Sequence, residues 1–158
     1  MIKEGLISQL RTVSAFFQRS SSCLSEEDSS FAPKEGLYTV TNQVAHVAQT
    51  IDWFIDGAFR PQGFDMNFEE HIQRALECTS LKTGREWFER AVNNAIEVIG
   101  SKSDEDWQQP LPAGPIMGGA PRLAIVSAIA DHTAHHRGVL TVYSRLLGKE
   151  PLMPYGEM

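Results

Sequence analysis

The chain has 158 residues, and 14 Lys and Arg against 20 Asp and Glu give it a formal net charge of −6. This length predicts a single domain over residues 1–158, and an apolar content of 42% is too high for an intrinsically disordered chain. Because the acidic balance is not interrupted by a basic run, we expect no nucleic-acid partner.

The cysteines and the N-terminal residues indicate where the protein works. Cys23 and Cys78 lie far apart and form no C-x-x-C pair, which is typical of reduced thiols. Lys3, Glu4 and Arg11 interrupt the apolar residues at the N-terminus, and no run approaches the roughly 18 apolar residues of a membrane span. We therefore expect a cytoplasmic protein without a leader or a membrane anchor.

Apolar stripes at helical spacing predict the first two long helices. In residues 2–20 the stripe consists of Leu6, Leu10, Val13 and Phe17. In residues 40–59, which follow Thr39 as a candidate N-cap, it consists of Val40, Val44, Val47, Ile51, Phe54 and Ala58. Both segments are predicted to pack against a common core.

Two more long helices follow, separated by a segment that cannot be helical. Ser80 can cap a third helix that stops at Gly100, and a shorter, weaker helix is predicted over 68–78. The apolar stripe of the third long helix consists of Phe88, Val92, Ala95 and Ile99. Residues 110–121 are rich in Pro and Gly and predict a loop, and the last helix starts at Pro121 or Arg122 and runs to Leu147. The pattern predicts an all-α four-helix bundle, whose long connections leave room for crossovers.

The fourth helix carries histidines within its predicted core stripe. This stripe reads Ile125, Ile129, His132, His136, Val139, Tyr143 and Leu146. Residues i and i+4 lie on one face, so His132 and His136 can direct their ring nitrogens to one point. Burying two imidazoles costs a few kcal/mol each unless a metal or a hydrogen-bond network compensates.

A third histidine favours a metal site over a hydrogen-bond network. The second helix has one polar stripe, formed by Gln43, His46, Thr50 and Trp53, which is typical of a pocket lining. His46 can complete a site with His132 and His136, although it lies at the boundary of the stripe that faces the core. His135 is an alternative to His136 as ligand, whereas His71, among glutamates, is predicted to be a surface residue.

Two common metal motifs are excluded by spacing. Thr133 stands where a zincin helix needs Glu directly after its first histidine. The residues three before His71, His132 and His136 are Phe68, Ile129 and Thr133, so the Glu-x-x-His pairs of a di-iron carboxylate bundle are missing.

The run from His132 to Lys149 begins HTAHHRGVL, and the tripeptide Pro154-Tyr155-Gly156 follows it. These two segments resemble the C-terminal signature of the DinB-like metalloenzymes. The segment VAHVA around His46 resembles the second-helix motif of that family. The resemblance implies a DinB/YfiT-type bundle, often dimeric, with a three-histidine metal site at His46, His132 and His136. Val139 departs from the pattern, since relatives commonly carry Gln there.

The ligand set and the resemblance together predict a metal-dependent enzyme. Three neutral imidazoles leave an open position on the ion, and Zn²⁺ or Ni²⁺ fit best, with Fe²⁺ or Mn²⁺ as alternatives. Related bundles include thiol-dependent S-transferases and isomerases, so we expect thiol transfer to a small electrophile, and a homodimer. A metal-dependent hydrolase and a bundle that the metal only stabilises remain the alternatives, and Asp52 and Asp131 are candidates to orient ligands.

Overall fold

The computed structural model describes residues 1–156, and the regular secondary structure of this part of the chain is helical. The helices are α1 (Ile2–Ser21), α2 (Val40–Phe59), α3 (Phe68–Leu76), α4 (Leu81–Ser101), α5 (Asp104–Gln108) and α6 (Ala124–Leu146). Within this part of the chain there is no β-strand, only one bridge between Pro110 and Pro121 in the predicted loop. The prediction of an all-α four-helix bundle is confirmed.

The four long helices α1, α2, α4 and α6 form the bundle. α2 packs against both α4 and α6, and α1 packs against the same two helices from the other side. α1 and α2 therefore occupy opposite corners, and the connection between them crosses the bundle. The short helix α3 packs on the outside of α2. None of the helices in residues 1–156 is long and apolar enough to cross a membrane.

Polar side chains fix the helix ends. Thr39 and Asn42 form a reciprocal capping box at the start of α2, and Ser80 caps α4 as predicted. α1 has no cap of its own, but the Asp104 carboxylate accepts hydrogen bonds from the Ile2 and Lys3 amides and from the N-terminal amine. These donors lower the pKa of Asp104 to about 2. The N-terminus of α1 is thereby tied to that of α5.

The core follows most of the predicted stripes. All six residues of the α2 stripe and all four of the α4 stripe are buried, so these two predictions are confirmed. In α1, Leu6, Leu10 and Phe17 are buried, but Val13 is only half-buried. Gly57 lets the Phe64 ring pack directly on the backbone of α2, because a Cβ at this position would lie 2.1 Å from the ring.

The predicted stripe of α6 was partly wrong. Leu146 is 60% exposed and Val139 is only half-buried, whereas Thr133 and Leu140 are each 1% exposed. The cause is that α6 contacts α1 as well as α2, so its buried face is wider than one seam and is rotated toward α1. His132 and His136 therefore lie toward the edge of this face.

Two helix ends also differ from prediction. α6 starts at Ala124, because the Ala124 and Ile125 amides bond to carbonyls only three residues back, at Pro121 and Arg122, in a tighter turn. α4 runs through Gly100 and ends at Ser101. Gly148, with φ of +72°, follows the end of α6 in the left-handed conformation that glycine adopts without strain.

Candidate metal centre

Three imidazoles converge at the boundary between α2 and α6. The Nε2 atom of His132 lies 3.2 Å from Nε2 of His46 and 3.2 Å from Nε2 of His136. One ligand atom from each ring falls within 4.8 Å of the others. Neutral imidazoles offer lone pairs as metal ligands, and three such nitrogens that face one another are a suitable set of donors for a cation.

The spacing of the nitrogens fits a first-row divalent ion. Metal–nitrogen bonds of about 2.0–2.1 Å place two ligand nitrogens about 2.8–3.4 Å apart, for angles between octahedral and tetrahedral. The two distances of 3.2 Å lie within this interval. Two of the three nitrogen–nitrogen distances in the cluster thus match those between ligands of one ion.

Gln43 orients one of the three rings. Its Oε1 lies 2.5 Å from Nδ1 of His136, and both side chains are buried. An amide oxygen only accepts, so Nδ1 of His136 must donate and its Nε2 must carry the lone pair. That lone pair faces His132, as a ligand of a shared ion would require.

Burial keeps all three rings neutral. Desolvation is the larger cause and repulsion by the neighbouring imidazoles the smaller one. Together they lower the pKa of His136 to about 3 and that of His132 to about 4. The pKa of His46 is lowered by the same burial and by His135. Neutral imidazole is the form that binds a metal, so the environment favours the ligand state at neutral pH.

The position of His46 agrees with the sequence argument about its angle. Its ring is half-buried at the boundary between α2 and α6, and its Nδ1 has no hydrogen-bond partner among the described residues. Tyr38, just before α2, packs edge-on to this ring with 5.4 Å between the centroids. Tyr38 was not predicted from the sequence, although its place before the Thr39 cap, at the end of α2 that carries His46, was an available signal.

The other residues of the polar α2 stripe lie farther along the helix. Thr50 is buried one turn after His46 on the same face. Trp53 lies two turns after His46, roughly 10 Å along the axis. Its ring packs on Phe64, with 4.7 Å between the centroids, and its Nε1 donates to the Asp65 carbonyl at 2.7 Å. Only Gln43 of this stripe is hydrogen-bonded to the histidine cluster.

The remaining histidines lie outside the cluster. His135 is exposed and meets His136 only edge-on, with 4.9 Å between ring centroids. The prediction that His71 is a surface residue was wrong, since its side chain is 14% exposed and its Nε2 lies 3.5 Å from Asp65. The turn before α3 brings Asp65 over this ring, a packing that the local glutamates do not reveal.

The two candidate orienting carboxylates point elsewhere. Asp131 is exposed. Asp52 accepts a hydrogen bond of 2.9 Å from Nε1 of Trp87 on α4, on the side of α2 away from α6. Burial raises the pKa of Asp52. Neither carboxylate is hydrogen-bonded to a histidine of the cluster.

Fold and site together define a helical-bundle protein with a three-histidine cluster of the size of a divalent metal site. The sequence model of the DinB family matches residues 11–158, and the chain belongs to this family. No functionally curated protein matches it.

Solved structures with the same fold share little sequence with the chain. YfiT from Bacillus subtilis, described as a probable metal-dependent hydrolase with an unusual four-helix bundle topology, matches with a TM-score of 0.69 at 13% identity, over 94% of this chain and 89% of YfiT. The mycothiol-dependent maleylpyruvate isomerase matches with a TM-score of 0.67 at 15% identity, and a point mutant of it with 0.73 at 13%. This chain is covered to 87% in both, but it spans only 60% of the isomerase.

Proposed function

We propose that the protein is a metal-dependent enzyme whose ion is held by Nε2 of His46, His132 and His136. The observation that carries the proposal is the convergence of these three nitrogens, 3.2 Å apart in two pairs. Zn²⁺ and Ni²⁺ are the favoured ions, because three imidazoles suit both, and Fe²⁺ and Mn²⁺ are the alternatives.

The surrounding side chains prepare the ligands. Gln43 holds the His136 ring by its Nδ1, and burial keeps the rings unprotonated. Thr50 and Trp53, on the same stripe of α2, are proposed to line the pocket where the substrate binds. A partly apolar wall with few polar groups is typical of sites for small molecules.

We further propose that the reaction is the transfer of a low-molecular-weight thiol to a small electrophile. A divalent ion held by these three neutral ligands would keep its charge and an open position, and would lower the pKa of a thiol or water bound there. In the transfer, the thiol would lose its proton to solvent, its sulfur would bond to the electrophilic carbon, and the leaving group would depart with its electron pair. Support comes from the fold shared with an isomerase that depends on mycothiol.

Hydrolysis is the second candidate. It is favoured by the likeness to YfiT, which is described as a probable metal-dependent hydrolase and is matched over nearly its whole length. In this case the same site would act on a water molecule, and no thiol would be needed. A third arrangement, in which the ion only stabilises the bundle, predicts a metal-dependent melting temperature and no turnover.

Assays with and without thiol separate these candidates. The protein loaded with zinc or nickel is compared with the metal-free protein on chlorodinitrobenzene, with cysteine, glutathione, coenzyme A or mycothiol, and on p-nitrophenyl acetate without thiol. We expect metal-dependent thiol transfer that is lost in His136→Ala and retained in the matched control His135→Ala. Metal-dependent ester cleavage alone would favour the hydrolase, and no metal-dependent turnover in either assay would contradict an enzyme.

We also propose a homodimer. The apolar residues of α2 are buried within the bundle, so they are not available for an interface between subunits. The exposed apolar residues Phe68, Ile72 and Leu76 repeat every four residues along α3, and Val142 and Leu146 do so on α6. Equilibrium sedimentation at micromolar concentration should give a dimer that Ile72→Glu or Leu146→Glu weakens, and a wild-type monomer would contradict the proposal.

A further inference from the structure

A groove separates α1 from α6 on the side of α6 that faces away from the histidine cluster. It encloses a cavity of about 510 Å³, within the range of roughly 300–1,000 Å³ that is typical of small-molecule sites. Its walls include Gly5, Ser8 and Phe16 of α1, Ala134 and Arg137 of α6, and Tyr155 after α6. Small side chains on both helices thus keep the groove open.

Arg137 is the one basic residue among the described residues that line this groove, and no acidic side chain of residues 1–156 forms an ion pair with it. The Arg137 guanidinium lies 5.8 Å from the Phe16 ring centroid and 5.7 Å from that of Tyr155, and these two rings meet edge-to-face at 5.0 Å. Within residues 1–156 no ion pair or hydrogen bond engages the guanidinium. A half-buried guanidinium has five N–H donors, and aromatic faces satisfy none of them by hydrogen bonding.

A second cavity continues the groove. It has a volume of about 430 Å³, shares Ala134, Arg137 and Tyr155 with the first, and adds Arg145 and the segment 151–154. Arg137 therefore stands between two cavities, with a second arginine two turns further along α6. In a chain with a net charge of −6, this concentration of positive charge favours an anionic ligand.

The groove is separate from the candidate metal centre. At about 100° per residue, Arg137 and Ala134 lie on the edge of α6 next to α1, whereas His132 and His136 lie on the edge next to α2. A ligand in the groove would touch α1 and the C-terminal segment, and the body of α6 would separate it from the histidines.

We propose that this groove is a binding site for a small organic carboxylate with an apolar, ring-sized body. The planar fork of Arg137 matches a carboxylate through two parallel hydrogen bonds. Phe16 and Ala134 provide apolar contact for the body, and Ser8 provides a hydroxyl at the wall. The inference does not depend on the metal or on the proposed reaction.

Benzoate is the probe that tests this site, with benzamide as its neutral counterpart of the same shape. Both are titrated into the full-length, zinc-loaded, ¹⁵N-labelled protein, and amide chemical shifts are followed. We expect saturable shifts at Gly5, Ala134 and Arg137 with benzoate, and a response to benzamide that is at least about tenfold weaker.

Two variants test the groove in different ways. Arg137→Gln removes the cation and should weaken benzoate binding by at least about tenfold. Gly5→Leu narrows the cavity without touching Arg137, and it should fold, because a Cβ on residue 5 meets no atom within 4 Å. Arg90→Gln, at an exposed position of α4, is the matched control and should leave binding unchanged.

Several results would overturn the proposal. These are the absence of saturable shifts in the groove, an equal response to benzamide, and undiminished binding in Gly5→Leu or in a folded Arg137→Gln. Shifts centred on Tyr38 and His46 would place the carboxylate at the metal instead. That last result would support the proposed metal centre while contradicting the groove site, so the two proposals fail separately.

Discussion

The two buried faces of α2 differ in how they are stabilised. Toward α4, α2 presents Val44, Ala48, Ile51 and Ile55, which are at most 3% exposed and bury only apolar surface. Toward α6 it presents Gln43, which is bonded to His136, and His46, whose buried Nδ1 has no partner among the described residues. The apolar face is stabilised by packing, whereas the polar face carries buried polar groups at a cost in stability and includes a proposed metal ligand.

The largest expected effect is the loss of a metal ligand. His46→Ala, His132→Ala and His136→Ala should each weaken zinc binding by more than about a hundredfold, beyond the effect typical of losing an outer hydrogen-bond partner. Calorimetric titration against a competing chelator measures this affinity. His135→Ala is the control, and an equal loss of affinity in that variant would show that the assigned ligand set is wrong.

A change on the apolar face should act on stability only. Ile51→Ala leaves a cavity in the core and should lower the free energy of unfolding by about 2–5 kcal/mol. Zinc affinity of the folded protein should change by less than about twofold, because Ile51 lies on the opposite face from His46. Urea denaturation and calorimetric titration measure the two quantities, and a large loss of affinity would remove the distinction between the faces.

Gln43 should have an intermediate effect. Gln43→Leu leaves the Nδ1–H of His136 without an acceptor and should weaken zinc binding by about 10–100-fold. Gln43→Glu retains the acceptor and should keep at least the wild-type affinity. If both variants bound zinc equally well, Gln43 would not position the ring.

A further prediction concerns the dependence of stability on pH in the metal-free protein. The pKa values of His132 and His136, about 4 and about 3 in the fold, lie below the ordinary value of 6.5. Between 6.5 and these values the unfolded chain binds more protons than the folded chain, so the free energy of unfolding rises with pH. This stabilisation is lost as the pH falls from about 6.5 toward 3. The carboxylate of Asp104, with a pKa of about 2, contributes only at lower pH.

Urea denaturation at a series of pH values checks this slope. The double variant His132→Gln, His136→Gln should show a flatter dependence between pH 6.5 and 4, because it lacks the two titrating rings. An unchanged slope would mean that other groups cause the acid sensitivity.

Much of the fold could be predicted from the sequence because its signals are local. The apolar spacing in α2 and the capping side chain of Thr39 lie within the helix or next to it, and both bounds of α2 agree with the structure. The width of the buried face of α6 depends on which neighbours it meets. For this reason Val139 and Leu146 were assigned to the core and Thr133 and Leu140 were not.

In the site, too, local features could be predicted from the sequence and tertiary contacts could not. The spacing of His132 and His136 within one helix indicated that they share a face. The hydrogen bond from His136 to Gln43 joins residues 93 positions apart, and the contact of Tyr38 with His46 depends on how the chain enters α2. Such contacts follow from tertiary packing, which periodicity does not encode.

The most direct test of the account is a crystal structure of the zinc-loaded protein with anomalous diffraction at the zinc edge. The account predicts one ion at full occupancy, about 2.0–2.1 Å from Nε2 of His46, His132 and His136, with Gln43 still bonded to Nδ1 of His136. An ion held by His135 in place of His136, ligation through Nδ1, or no ion between α2 and α6 would contradict it.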